Sequence, residues 1–260
     1  MPTYGVAPVR PWDDRGRRSA VRYQAVKLLV VSPHFDDAPL SLGQAMVDGE
    51  LSIHRVTVGV LFGRTNWTKW FHPTRGRWPL GSAIRFGEEV VNARRFGYRF
   101  RVAGFEEAVL RNGSLDTTTF LDPAFDPTTS PVLALVLDRM RRWAEGADVV
   151  IAPLGLGDHI DHRLAAHAGG LMAAERSVCF YEDRPYASGL DDEAIASHAA
   201  ALDPALRPVD VSAPMGPAKH GRLWYPSQFH EFFLDAIASD ERACRRERLW
   251  VSPGNDWPQA

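Results

Sequence analysis

Cysteine is almost missing from this chain: Cys179 and Cys244 are the only two in 260 residues. Two thiols cannot staple a chain of this length, so no disulfide framework is expected and a reducing compartment fits. Long apolar runs are missing as well. None approaches the ~20 residues of a membrane-spanning helix, and the first twenty residues hold no apolar stretch like that of a secretory signal. The expectation is a cytoplasmic protein. Nor is there an excess of charge of one sign: 30 Lys and Arg stand against 32 Asp and Glu, a net charge of −2. Such a balance argues against general attraction to nucleic acid or to an anionic membrane. The local basic clusters, at Arg139, Arg141 and Arg142 and again from Arg242 to Arg248, read as solvated helix faces.

What is present is an ordinary globular balance, 45% hydrophobic and 24% charged, long enough for one α/β domain with a large core. A metal in such a chain serves chemistry rather than folding. Residues 25–31 (AVKLLVV) read as a buried strand, 38–47 as a helix and 56–62 (VTVGVLF) as a second strand, which makes a βαβ unit. The first strand lacks the Gly-x-Gly-x-x-Gly turn of dinucleotide binding. Residues 62–80 form a long loop carrying Trp67, Trp70, Phe71 and Trp78. Its aromatics offer stacking faces to a ligand, pin the loop to the body, or form a subunit interface in a homo-oligomer. Ser82 is placed to cap a helix that runs to Phe96 and stops at Gly97. A strand near 99–103, a helix over 130–145 capped by Ser130, a strand over 148–153 and a glycine-rich turn at 154–157 follow. A helix over 161–175, a strand over 177–181 and helices near 191–202 and 214–238 complete the pattern. Strands alternating with helices predict a parallel sheet covered on both faces, with ligands beyond the carboxyl ends of the strands.

Two polar clusters fall at such strand ends: Pro33-His34-Phe35-Asp36-Asp37 and Asp158-His159-Ile160-Asp161-His162. Histidine and aspartate together suit zinc or a similar divalent ion. A catalytic site commonly takes three protein ligands and leaves one position for water. His34 and Asp37, three apart, can aim at one point from a single turn. His159 and His162 share a helical face, and either could complete the set. The other would be free for proton transfer or for an oxyanion. Asp36 is then the candidate general base. The remaining histidines, His54, His72, His167, His198, His220 and His230, have no such company and read as structural. Cys179 sits within a strand and is a poor nucleophile.

With these residues in view, the chain resembles the PIG-L, or LmbE-like, family of zinc-dependent N-deacetylases. That family has a His-Pro-Asp-Asp motif after one strand and a His-x-Asp-His motif after another, here 34–37 and 159–162. Arg85, Glu88 and Gly97 fit the family's helix, and Ser227-Gln228 after Lys219 resembles its late Ser-Gln pair. The departure is Phe35 in place of Pro, which bears on loop stiffness and on a pocket wall. The resemblance implies a single-domain Rossmann-like fold over residues 23–245, between an arm at 1–22 and a tail at 246–260. It implies Zn2+, or another divalent transition metal, held by His34, Asp37 and His162. Asp36 is then the general base, His159 serves the oxyanion or the leaving amine, Asp161 orients His159, and Arg85 binds a substrate hydroxyl. The implied substrate is an N-acetylglucosamine-type conjugate. An amidase for larger acyl groups and a noncatalytic sugar-binding module are the alternatives. Glu182-Asp183-Arg184, after the strand ending at Tyr181, is a further segment that could face the site.

Overall fold

A computed structural model describes residues 25–71, 74–113, 116–253 and 257. The arm expected at 1–22 lies outside them, as does His72. In chain order the elements are β1 (Lys27–Ser32), α1 (Asp37–Asp48), β2 (Arg55–Val60), α2 (Trp78–Phe96), β3 (Arg99–Val102), α3 (Ala108–Arg111), α4 (Leu133–Ala144), β4 (Val149–Pro153), α5 (Ile160–Ala173), β5 (Val178–Tyr181), α6 (Asp192–Leu202), β6 (Arg207–Pro214), α7 (Pro217–His220), α8 (Glu231–Arg242) and β7 (Arg246–Val251).

The strands form a seven-stranded sheet in the order β3-β2-β1-β4-β5-β7-β6. β1 to β5 are parallel, and β7 runs antiparallel to both of its neighbours. Side chains alternate across a strand, so β1 feeds both faces. Leu28 and Val30 join the core under α1 and α2, and Leu29 and Val31 join the core under α4, α5 and α6. This is the expected mostly parallel sheet with helices on both faces. The chain order reverses between β1 and β4, and at such a switch point the loops leaving adjacent strands diverge and open a crevice. Both predicted motifs leave the sheet there.

Several boundaries differ from expectation. Residues 246–251 are not tail but a strand of the sheet, and residues 207–214 pair with them at the edge. The reading of Arg242 to Arg248 as a solvated helix face fails over β7, because its charges are paired. Glu247 is buried and lies 2.8 Å from Lys219, and Arg248 lies 2.7 Å from Glu182. The helix expected over 214–238 is two helices, α7 and α8, with turns between them. Ser82 is not a cap, since α2 begins four residues earlier with Pro in its first turn. The Ser82 hydroxyl instead accepts from the Thr65 N–H at 2.9 Å and fixes the aromatic loop to the helix. Likewise α4 starts at Leu133 rather than at a Ser130 cap.

Candidate metal centre and cavity

The turn after β1 is shaped by Ser32. Its hydroxyl donates to the His34 carbonyl at 2.5 Å and accepts from the Ala38 N–H at 3.1 Å. Asp37 opens α1, and its Oδ2 accepts the His34 backbone N–H at 2.6 Å. Phe35 points away from the cavity into the core and is 1% exposed, so it forms no pocket wall.

The turn after β4 runs through Gly155 and Gly157 at φ 80° and 83°, then Asp158 at φ 60°. A Cβ on Gly157 would stand 2.2 Å from the Tyr186 ring, so this turn requires glycine. It delivers His159 as the cap of α5 and His162 into that helix's first turn.

Three lone-pair atoms converge in the crevice. His34 Nδ1 and His162 Nε2 each stand 3.3 Å from Asp37 Oδ2. The far nitrogen of each ring is held by a carboxylate. His34 Nε2–H donates to Asp161 at 3.1 Å and His162 Nδ1–H donates to Asp183 at 2.6 Å. A carboxylate only accepts, so with a cation between the rings these contacts would set both tautomers and leave His34 Nδ1 and His162 Nε2 to face it. In a tetrahedral zinc site with bonds near 2.1 Å, neighbouring donor atoms lie roughly 3.4 Å apart. The observed spacing therefore fits a divalent metal. The electrostatics agree. Burial works against charge on the two imidazoles, yet Asp161 and Asp37 raise His34 to about 9, and Asp37 and Asp183 raise His162 to about 10. Burial alone would raise the Asp37 carboxyl, but His162 and His34 hold it well below its ordinary value. Surroundings that favour protons on two facing rings also favour a cation between them.

The other predicted residues surround this point. Asp36 is buried and its Oδ1 accepts from Arg85 at 2.6 Å. Arg85 does line the cavity, but its guanidinium is engaged by Asp36 and lies 3.7 Å from Glu107. The sequence reading gives Asp161 to His159. In the structure the Asp161 carboxylate holds His34, the Ala108 N–H at 2.9 Å and Arg111 at 2.5 Å. Asp161 meets His159 through its backbone, whose N–H donates to His159 Nδ1 at 3.2 Å. That leaves the His159 proton on Nε2. Burial, with the charges of His34 and His162, keeps this ring's pKa well below the usual histidine range, so it is a neutral donor.

Within Glu182-Asp183-Arg184 it is Asp183 that faces the site. Its Oδ1 holds His162, and its Oδ2 accepts from Gly155 and Leu156 at 2.8 and 3.1 Å. Its neighbours face elsewhere, Glu182 toward Arg248 and Trp250 and Arg184 toward Asp240 at 3.0 Å. The signal in the sequence is its place two residues beyond the apolar strand that ends at Tyr181. Ser227-Gln228 acts through α2: Glu88 accepts from the Ser227 N–H at 2.7 Å and hydroxyl at 2.8 Å, which sets Gln228 in the cavity wall.

The cavity above the centre measures about 440 Å³. Of the aromatic loop, Trp67 lines it, whereas Trp70 and Trp78 are exposed. Its outer wall comes from segments not singled out in the sequence, including Phe120, Leu121, Tyr186, Phe232 and Phe233. His230, read as structural, also lines it.

No family model matches the chain. A 2′-N-acetylparomamine deacetylase of Streptomyces fradiae is 32% identical over 248 residues, covering 92% of this chain and 86% of that protein. A solved deacetylase from the teicoplanin biosynthesis pathway superposes with a TM-score of 0.59 at 18% identity, over 88% of this chain and 99% of that one. A zinc-inhibited form of teicoplanin deacetylase gives 0.56 at 17% identity, over 88% and 99%. At these identities the solved structures establish the fold.

Proposed function

The chain belongs to the PIG-L, LmbE-like family of N-deacetylases, and from that premise we propose that it hydrolyses the N-acetyl group of an N-acetylglucosamine-type conjugate, using zinc. The observation that carries this reading is the pair of ring nitrogens 3.3 Å from Asp37 Oδ2, with Asp36 beside them. The similarity to a deacetylase of an N-acetylated amino sugar conjugate supports the substrate class.

His34, Asp37 and His162 would hold the ion, with Asp161 and Asp183 fixing the two rings. A zinc ion so held supplies Lewis acidity and lowers the pKa of a bound water toward ~7. Asp36 accepts the proton of the attacking water through the oxygen that Arg85 leaves free, and returns a proton to the departing nitrogen. Arg85 keeps the carboxylate in one orientation. His159 donates its Nε2–H to the carbonyl oxygen as negative charge develops there. Water adds across the amide, the C–N bond breaks, and acetate and a primary amine result. A noncatalytic binding module has no use for a buried base beside a metal centre.

The test is incubation of purified protein with N-acetylglucosamine conjugates, following acetate and primary amine. Equimolar release that stops on chelation and returns with zinc is expected. Release undiminished after exhaustive chelation would overturn the metal-dependent reading.

A further inference from the structure

The cavity has two ends of unlike chemistry. The deep end is polar and closed: Arg85 and Glu107 are buried behind Asp36, and Glu107 is tied to the Thr65 hydroxyl. The mouth is open and mostly apolar: Leu121 and Phe232 there are 43% and 49% exposed, with His230 beside them. These surfaces belong to one continuous wall. Phe120 stacks on His159 with centroids 4.9 Å apart, Tyr186 packs edge-on against His162 at 5.4 Å, and Phe232 meets Tyr186 at 6.3 Å. The apolar surface thus runs outward from the reacting centre itself. The carboxylates that line the cavity, among the described residues, are Asp36, Asp37 and Glu107, all at the deep end.

Resting on the deacetylase reading, we propose that the mouth is a subsite for the group joined to the amino sugar, and that this group is neutral and apolar, of alicyclic or aromatic character. The acyl group, at the closed end, is small. A sugar ring finds hydrogen-bonding partners near Gln228 and the deep wall. Whatever continues outward must lie against Phe120, Leu121, Tyr186 and Phe232. A polar group laid there has only the Tyr186 hydroxyl and His230 to replace its hydration, whereas an apolar one covers side chains that are otherwise exposed to water. The carboxylates nearest this wall, Asp158 and Asp235, line an adjoining cavity that shares Pro185, Tyr186 and Phe232, so within the described lining of the mouth itself a polycationic aminocyclitol meets no carboxylate. The proposal therefore separates this chain from its relative that acts on N-acetylparomamine.

The experiment compares kcat/KM for the methyl, cyclohexyl and naphthyl glycosides of N-acetylglucosamine with that for an N-acetylated aminocyclitol glycoside. A parallel series on the cyclohexyl glycoside lengthens the N-acyl group from acetyl to butyryl and octanoyl. A rise of at least tenfold from methyl to cyclohexyl or naphthyl is expected, with the aminocyclitol conjugate below both. Loss of activity with acyl length is also expected. Phe232→Ser, at a side chain 49% exposed, should bring the cyclohexyl-to-methyl ratio toward one. Equal kcat/KM across the glycosides, preference for the aminocyclitol, or preference for octanoyl would overturn the assignment of the mouth while leaving the deacetylase reading intact. Hydrolysis of no member would overturn that reading and this inference with it.

Discussion

Oδ1 of Asp183 stands 2.6 Å from Nδ1 of His162, and Oδ2 of the same carboxylate takes the backbone N–H groups of Gly155 and Leu156. One buried side chain at the end of β5 therefore fixes both a metal-facing imidazole and the turn that delivers it. An amide at this position has one acceptor atom for three donors. Asp183→Asn should weaken zinc binding about 10- to 100-fold, read by competition with a chromophoric chelator. An unchanged dissociation constant would show that the second carboxylate is not needed to orient His162.

Asp36 separates from the metal ligands by what it touches. Its Oδ1 pairs with Arg85, and it lies outside the cluster formed by His34, Asp37 and His162. Asp36→Asn retains an acceptor for the guanidinium, which avoids leaving a buried charge unpaired. The variant should keep full zinc content, measured by elemental analysis, while kcat falls by at least ~100-fold. Loss of zinc in parallel with activity would instead make Asp36 a ligand.

The parts of this centre that were legible in the sequence share one property. His34 with Asp37, and His159 with His162, are each three residues apart at the end of an apolar strand, so local geometry alone converges them. Asp183 meets the same strand-end criterion, but it lies between Glu182 and Arg184. Only tertiary packing shows that 183 faces the site and its neighbours do not. The family pattern gives Asp161 to His159, but its carboxylate holds His34, 127 residues away. Strand β7 is masked in the sequence because its charges, Arg246, Glu247 and Arg248, resemble a solvated surface, whereas Glu247 and Arg248 have buried partners in Lys219 and Glu182. The outer wall is hidden for another reason: Phe120 and Leu121 lie outside the α-helices and strands, and Phe232 lies on a helix whose apolar pattern does not tell a ligand surface from a core face.

The turn into α5 makes a backbone prediction. Gly157 has φ 83°, and an added Cβ would meet the Tyr186 ring at 2.2 Å. Gly157→Ala meets both a disfavoured conformation and a collision with a cavity wall. It should cost about 1–3 kcal/mol in stability and lower activity by shifting Tyr186. Chemical denaturation together with kcat/KM checks this. A variant with wild-type stability would mean that the turn has other conformations open to it.

Glu89 on α2 supplies a pH dependence of stability that is separate from the metal centre. Its carboxyl is fully buried, and burial raises its pKa from 4.5 to about 8, although contacts with Tyr225 and Tyr98 oppose the rise. Burial outweighs these contacts, and the hydrogen-bond network still has room for a proton on Glu89. Tyr98 donates to Oε1 at 2.8 Å, and the Tyr225 oxygen is 2.8 Å from Oε2. Tyr225 has one proton and is also 3.0 Å from the Phe35 carbonyl. If Glu89 donates to Tyr225, Tyr225 is free to donate to Phe35 and brace the motif turn. A carboxyl with a raised folded pKa binds its proton more tightly folded than unfolded. Its contribution to stability is therefore complete below about 4.5 and is lost as pH rises through about 8. Glu89→Gln keeps an acceptor for Tyr98 and a donor for Tyr225 without titrating. From pH 6 to pH 9 the wild-type Tm should fall further than that of Glu89→Gln. Parallel decline of the two proteins across that interval would show that Glu89 does not hold a proton at neutral pH.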